Sequence, residues 1–74
     1  MVLSYLKGLL VDQFACEEDD IELTSSLDDL NLTDSDRLDI AYDLSERYGV
    51  EITDSEAEGF VTVEDIVACV EDQL

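Results

Sequence analysis

Histidine, tryptophan and proline are missing from this chain, and lysine and arginine together number three. Without histidine the commonest general base is gone, and no serine or cysteine stands beside a residue that would activate it. A chain of 74 residues buries only about 60% of its unfolded surface, which leaves no room for a large internal catalytic cleft. An enzyme is therefore not expected. Against the three cations stand 21 aspartates and glutamates, a net charge of −18, which excludes a nucleic-acid partner. Cysteine is scarce as well: Cys16 and Cys69 show no CxxC spacing and no basic-then-apolar leader precedes them, so two buried thiols in a reducing compartment are expected. The longest apolar-rich stretch, residues 1–16, is broken by Lys7 and Asp12 and is too short to span a bilayer. These absences describe a soluble, cytoplasmic monomer with no membrane partner.

What is present argues for a fold. Hydrophobic residues make up 46% of the chain, too many for a disordered acidic tail. The acidity sets its own conditions. Self-repulsion weakens the compact state at low salt, and the same field speeds encounter with basic protein surfaces.

Val2, Leu3, Leu6, Leu9, Leu10 and Phe14 recur at steps of three and four, which predicts an amphipathic helix over residues 2–16. Gly8 within it either admits a close helix contact or is simply a poor helix former. From Glu17 to Thr33 the period dissolves, yet Ile21, Leu23, Leu27, Leu30 and Leu32 predict an ordered connection that folds back on the helices. A second helix is predicted over residues 34–48, with Leu38, Ala41, Tyr42, Leu44 and Tyr48 turned inward. Thr33 and Asp36 fit a capping box at its start, and Gly49 after Arg47 fits its end. Val50, Glu51 and Ile52 read as extended, residues 54–60 as a short helical turn interrupted by Gly59. Thr62 and Asp65 open a last helix with Val63, Ile66, Val67 and Val70 inward. The expected architecture is all-α: a small four-helix bundle with a long first loop and a short third helix, in one domain over residues 1–74.

Metal binding finds little support. An EF-hand counted from Asp34 would put Leu38 fifth, Asp39 sixth and Ser45 twelfth, where the loop needs an oxygen ligand, glycine and glutamate. Screening of surface carboxylates by divalent ions is the reading that remains, and no metal site is assigned. The second helix carries Asp36, Asp39, Asp43 and Glu46 at steps of three, four and three, a row on one face opposed only by Arg47 beside Asp43. That row suits either solvation or docking to a basic enzyme surface.

Several of these features together resemble the acyl carrier protein family. They are Leu27-Asp28-Asp29-Leu30, the acidic second helix, Tyr48-Gly49-Val50-Glu51-Ile52, the acidic turn over residues 54–58, and Thr62-Val63 opening the last helix. With the first helix added, the resemblance covers nearly the whole chain. It implies a four-helix bundle carrying acyl groups as thioesters on a phosphopantetheine arm, joined to the serine of an Asp-Ser-Leu motif at the start of the second helix. It also implies partners: a phosphopantetheinyl transferase, which supplies metal and base for loading, and acyl-handling enzymes with basic docking surfaces. Asp36, Asp39, Asp43 and Glu46 would then be the partner-binding residues. The motif itself departs from the pattern. Aligned without gaps, the serine position falls on Asp34 and Ser35 replaces the leucine; one extra loop residue gives Asp34-Ser35-Asp36, with Ser35 as the attachment point. In the first register an aspartate cannot form the same stable phosphodiester, and the chain would be an unmodified interaction module of the same fold. The second register keeps the carrier's nucleophile.

Overall fold

The computed structural model describes residues 2–74. Four helices follow one another: α1 over Val2–Phe14, α2 over Asp34–Tyr48, α3 over Asp54–Glu58 and α4 over Val63–Glu71, with a single turn of 3-10 helix over Glu18–Asp20 between the first two. Among the described residues there is no strand, and the all-α bundle with its long first loop and short third helix is what the sequence predicts.

One local device starts three of the helices. Thr33, Thr53 and Thr62 each accept a hydrogen bond from the backbone N–H three residues on. The acid at that position, Asp36, Glu56 or Asp65, accepts from the threonine's own N–H. Each box satisfies two donors that a helix start leaves without partners. Bonds from backbone N–H groups hold the Glu56 and Asp65 carboxyls below the usual carboxylate range. The box at Thr53 is an addition to the two predicted from the sequence.

The helix ends are less uniform. α1 stops at Phe14 rather than Cys16, because Ala15 takes a left-handed conformation with φ 57° and the Cys16 N–H reaches back to the Leu10 carbonyl at 3.1 Å. Gly49 ends α2 with φ 68°. A Cβ built at Gly49 or at Gly8 meets nothing within 4 Å, so Gly8 admits no close helix contact. Alanine at Gly8 is therefore expected to stabilise by about 0.5–1 kcal/mol. Alanine at Gly49 is expected to destabilise by about 1–2 kcal/mol, the cost of a side chain in the left-handed region. Thermal melts of the two variants should move in opposite directions from the parent.

α1 packs against α4, and α2 against both α3 and α4. Leu6, Leu10, Ile21, Leu27, Ile40, Leu44, Val63, Ile66 and Val70 fill the centre with almost no exposure. In α2 the inward stripe runs through Ile40, Ala41 and Leu44, with Leu38 and Tyr48 half-buried at its edges. Tyr42 is a correction: it is 60% exposed, since the residue after Ala41 lies a further 100° round the helix.

The long loop is ordered by backbone pairing as well as burial. Leu27 N–H donates to the Val61 carbonyl, Val63 N–H to Ser25 and Glu64 N–H to Leu23, around a bridge between Ser26 and Thr62. Ile21, Leu27 and Leu32 are buried, whereas Leu23 remains on the surface. Further on, the Gln73 amide clasps the backbone N–H and carbonyl of Glu51, tying the extended segment to the end of the chain. Cys16 and Cys69 are free and half-buried rather than fully buried, and burial pushes both thiols up.

Candidate functional site at the start of the second helix

Thr33 and Asp36 form the rim of the site. Thr33 Oγ1 accepts from the Asp36 N–H at 3.2 Å, and Asp36 Oδ2 accepts from the Thr33 N–H at 3.0 Å. Between them stand Asp34, the first helical residue, and Ser35, the second, both exposed. The hydrogen bonds of this turn are made by Thr33, Asp36 and Arg37 and leave the Ser35 hydroxyl without a protein partner among the described residues.

Arg37 was not anticipated. Its side chain is only 10% exposed, and one amine, Nη2, donates to Asp28 Oδ1 at 2.6 Å and reaches the Leu32 carbonyl at 3.5 Å. Nη1 stands 3.9 Å from Asp34 Oδ1, and Nε is buried with no partner. The one sequence signal was its rarity, a cation three residues after Asp34 in a chain with so few.

The four predicted docking acids divide into two pairs. Asp39 and Glu46 are exposed and make no ion pair among the described residues. Asp36 is committed to the cap, and Asp43 accepts a hydrogen bond from the Tyr5 hydroxyl on α1. That bond raises the Tyr5 phenol above its ordinary value. Arg47 does not oppose Asp43 as an ion pair; its guanidinium lies over the Tyr5 ring, 5.1 Å from the centroid. Tyr48 meets the same ring edge-on at 5.8 Å. Exposed Tyr42 joins Asp39 and Glu46 on the solvent side, with hydrogen bonding to Glu46 raising its phenol.

The open hollows of the surface, lined by Ser4, Gly8 and Asp12 on α1 or by Glu56, Cys69 and Gln73 beside α4, do not include the start of α2. Among the described residues no three side chains of the metal-binding types converge. No described helix is long and apolar enough to cross a membrane.

The geometry defines a small helical bundle whose acidic second helix begins on an exposed turn that carries Ser35. Residues 4–70 match the family described as the phosphopantetheine attachment site. An acyl carrier protein from Phytoplasma australiense is 36% identical over 75 residues, covering 100% of this chain and 99% of that one. Another from Coprothermobacter proteolyticus is 34% identical over 74 residues, covering 99% and 90%. One from Clostridium perfringens is 38% identical over 63 residues, covering 84% and 83%. The chain belongs to the acyl carrier protein family. It is a carrier and not an enzyme, and the prosthetic group of its domain is phosphopantetheine. At the start of α2 Ser35 offers an exposed hydroxyl, whereas the neighbouring Asp34 has none.

Proposed function

We propose that Ser35 is the point at which the arm is attached, and that the protein presents acyl or related groups to biosynthetic enzymes. The observation that carries this reading is the exposed Ser35 hydroxyl on the first turn of α2, without a hydrogen-bond partner among the described residues. When bound, the arm supplies the thiol that holds the cargo as a thioester. The contribution of this chain is steric and electrostatic: the capping box fixes the turn, the core holds α2 in place, and the serine faces outward. During loading by a transferase the Ser35 oxygen would bond to the phosphorus that bears the pantetheine, the P–O–P bond of coenzyme A would break with adenosine 3′,5′-bisphosphate as the leaving group, and the serine proton would pass to a base on that enzyme.

Docking falls to the outer face of α2. Asp39 and Glu46 supply exposed charge there, Asp36 and Asp43 add to the field from positions tied into the fold, and a transferase or acyl-handling enzyme with a basic surface is the complement. A net charge of −18 opposes self-association, which supports a monomer. Free thiols at Cys16 and Cys69 suit a reducing compartment such as the cytoplasm.

Intact mass after incubation with coenzyme A, magnesium and a broad-specificity phosphopantetheinyl transferase tests the assignment. A gain of one phosphopantetheine that is absent from Ser35→Ala is the expected result. No gain, while a known carrier is loaded in parallel, would overturn Ser35 and place Asp34 at the attachment position.

A further inference from the structure

Arg37 is buried in the most acidic of surroundings, and its contacts all point one way along the chain. Asp28 lies nine residues before it, Leu32 five and Asp34 three. One guanidinium thus gathers Asp28 from the later part of the loop, the loop's last buried leucine and the first residue of α2. The loop's own hydrogen bonds, Leu30 N–H to Ser26 and Leu32 N–H to Leu27, are internal to it, and the Leu27 N–H leads away to Val61. The capping box joins only Thr33 to Asp36. A methionine would fill similar space without leaving a buried Nε unpartnered. Core packing therefore does not account for an arginine here. What the arginine alone provides is a polar tie between residues 28–34 and the helix that carries Ser35.

We infer that Arg37 is a positioning residue for loading: with Asp28 it holds the approach to α2 in one arrangement, so that the transferase meets the Ser35 hydroxyl in a fixed place. This rests on the assignment of Ser35. The acids of the tie are 84% and 81% exposed while Arg37 is 10% exposed, so it can be cut from the outside or from the inside. Asp28→Ala removes the outer partner without touching the core; Arg37→Met removes the inner one and keeps its volume.

The test compares loading kinetics and amide exchange in the wild type, Arg37→Met, Asp28→Ala and Arg37→Lys. Both cuts should lower kcat/KM for the transferase roughly tenfold, mainly by lowering kcat, since a misplaced nucleophile loses near-attack geometry. The Leu30 and Leu32 amides should exchange faster in both, and Arg37→Lys should recover part of the loss. If the wild type is loaded on Ser35 and both cut variants are loaded equally well, the inference is overturned, even where exchange has quickened. If Arg37→Met does not fold, Asp28→Ala decides. A wild type that takes no arm overturns the Ser35 assignment instead, and the loading role with it.

Discussion

Replacing Leu44 by alanine should bring the bundle close to unfolding. Leu44 is fully buried in the middle of α2, in the same cluster as Ile40, Ile66 and Val70. Truncating a buried leucine costs about 2–5 kcal/mol, because the neighbours collapse only partly into the space. A chain of this length has a total stability of roughly 4–11 kcal/mol, and the repulsion among its 21 acids pulls it toward the lower end. In a domain this small each kcal/mol moves the midpoint by about 4–8 °C, so a fall of roughly 8–40 °C is expected in a thermal melt followed by circular dichroism. Leu44→Met, which conserves volume, should cost less than about 1.5 kcal/mol. A Leu44→Ala melt within a few degrees of the parent would show that the centre of this core repacks freely.

Reversing Asp39 and Glu46 together, to lysine, should weaken association with a basic partner enzyme by roughly tenfold or more at low salt, chiefly through a slower on-rate. These two are the informative positions because both are exposed and neither is tied to the cap or to another helix, Glu46 meeting only the exposed Tyr42 of its own helix. Reversal at Asp43 would also strip the Tyr5 hydroxyl of its acceptor and loosen α1 from α2. Reversal at Asp36 would dismantle the capping box. At Asp39 and Glu46 each change moves the charge by two, taking the chain from −18 to −14, so self-repulsion falls and the melting temperature should hold or rise. Binding and stability thus move in opposite directions, which separates lost docking from a damaged fold. The effect on binding should shrink as salt rises, since exposed charges are screened over about 8 Å at physiological ionic strength. Unchanged affinity at physiological salt would take the docking role away from this face.

Much of the fold was legible along the chain. The boxes at Thr33 and Thr62, the left-handed Gly49 and the apolar steps through Leu6 and Leu10 or Ile66 and Val70 are short-range signals: each depends on groups within about one or two helical turns. The end of α1 was misread by two residues because Ala15 carries no mark of its left-handed backbone. Tyr42 was misplaced because a half-apolar side chain at the edge of a helical stripe is sorted by what packs against it, and nothing does.

The candidate site divides along the same line. Sequence alone determined that an acidic helix begins after Thr33, that Asp34 and Ser35 occupy its first turn, and that a row of carboxylates follows. It also determined, through the scarcity of cations, that the surface would be acidic. Only the tertiary structure decided which of those carboxylates are free. Tyr5 meets Asp43 from 38 residues away, and Arg47 turns to the Tyr5 ring instead of its helical neighbour. Arg37 sinks inward to draw Asp28 and Leu32 against α2. Caps and stripes follow from backbone groups a few bonds apart; the partner of a buried charge or a phenol is chosen by which helices the core brings together.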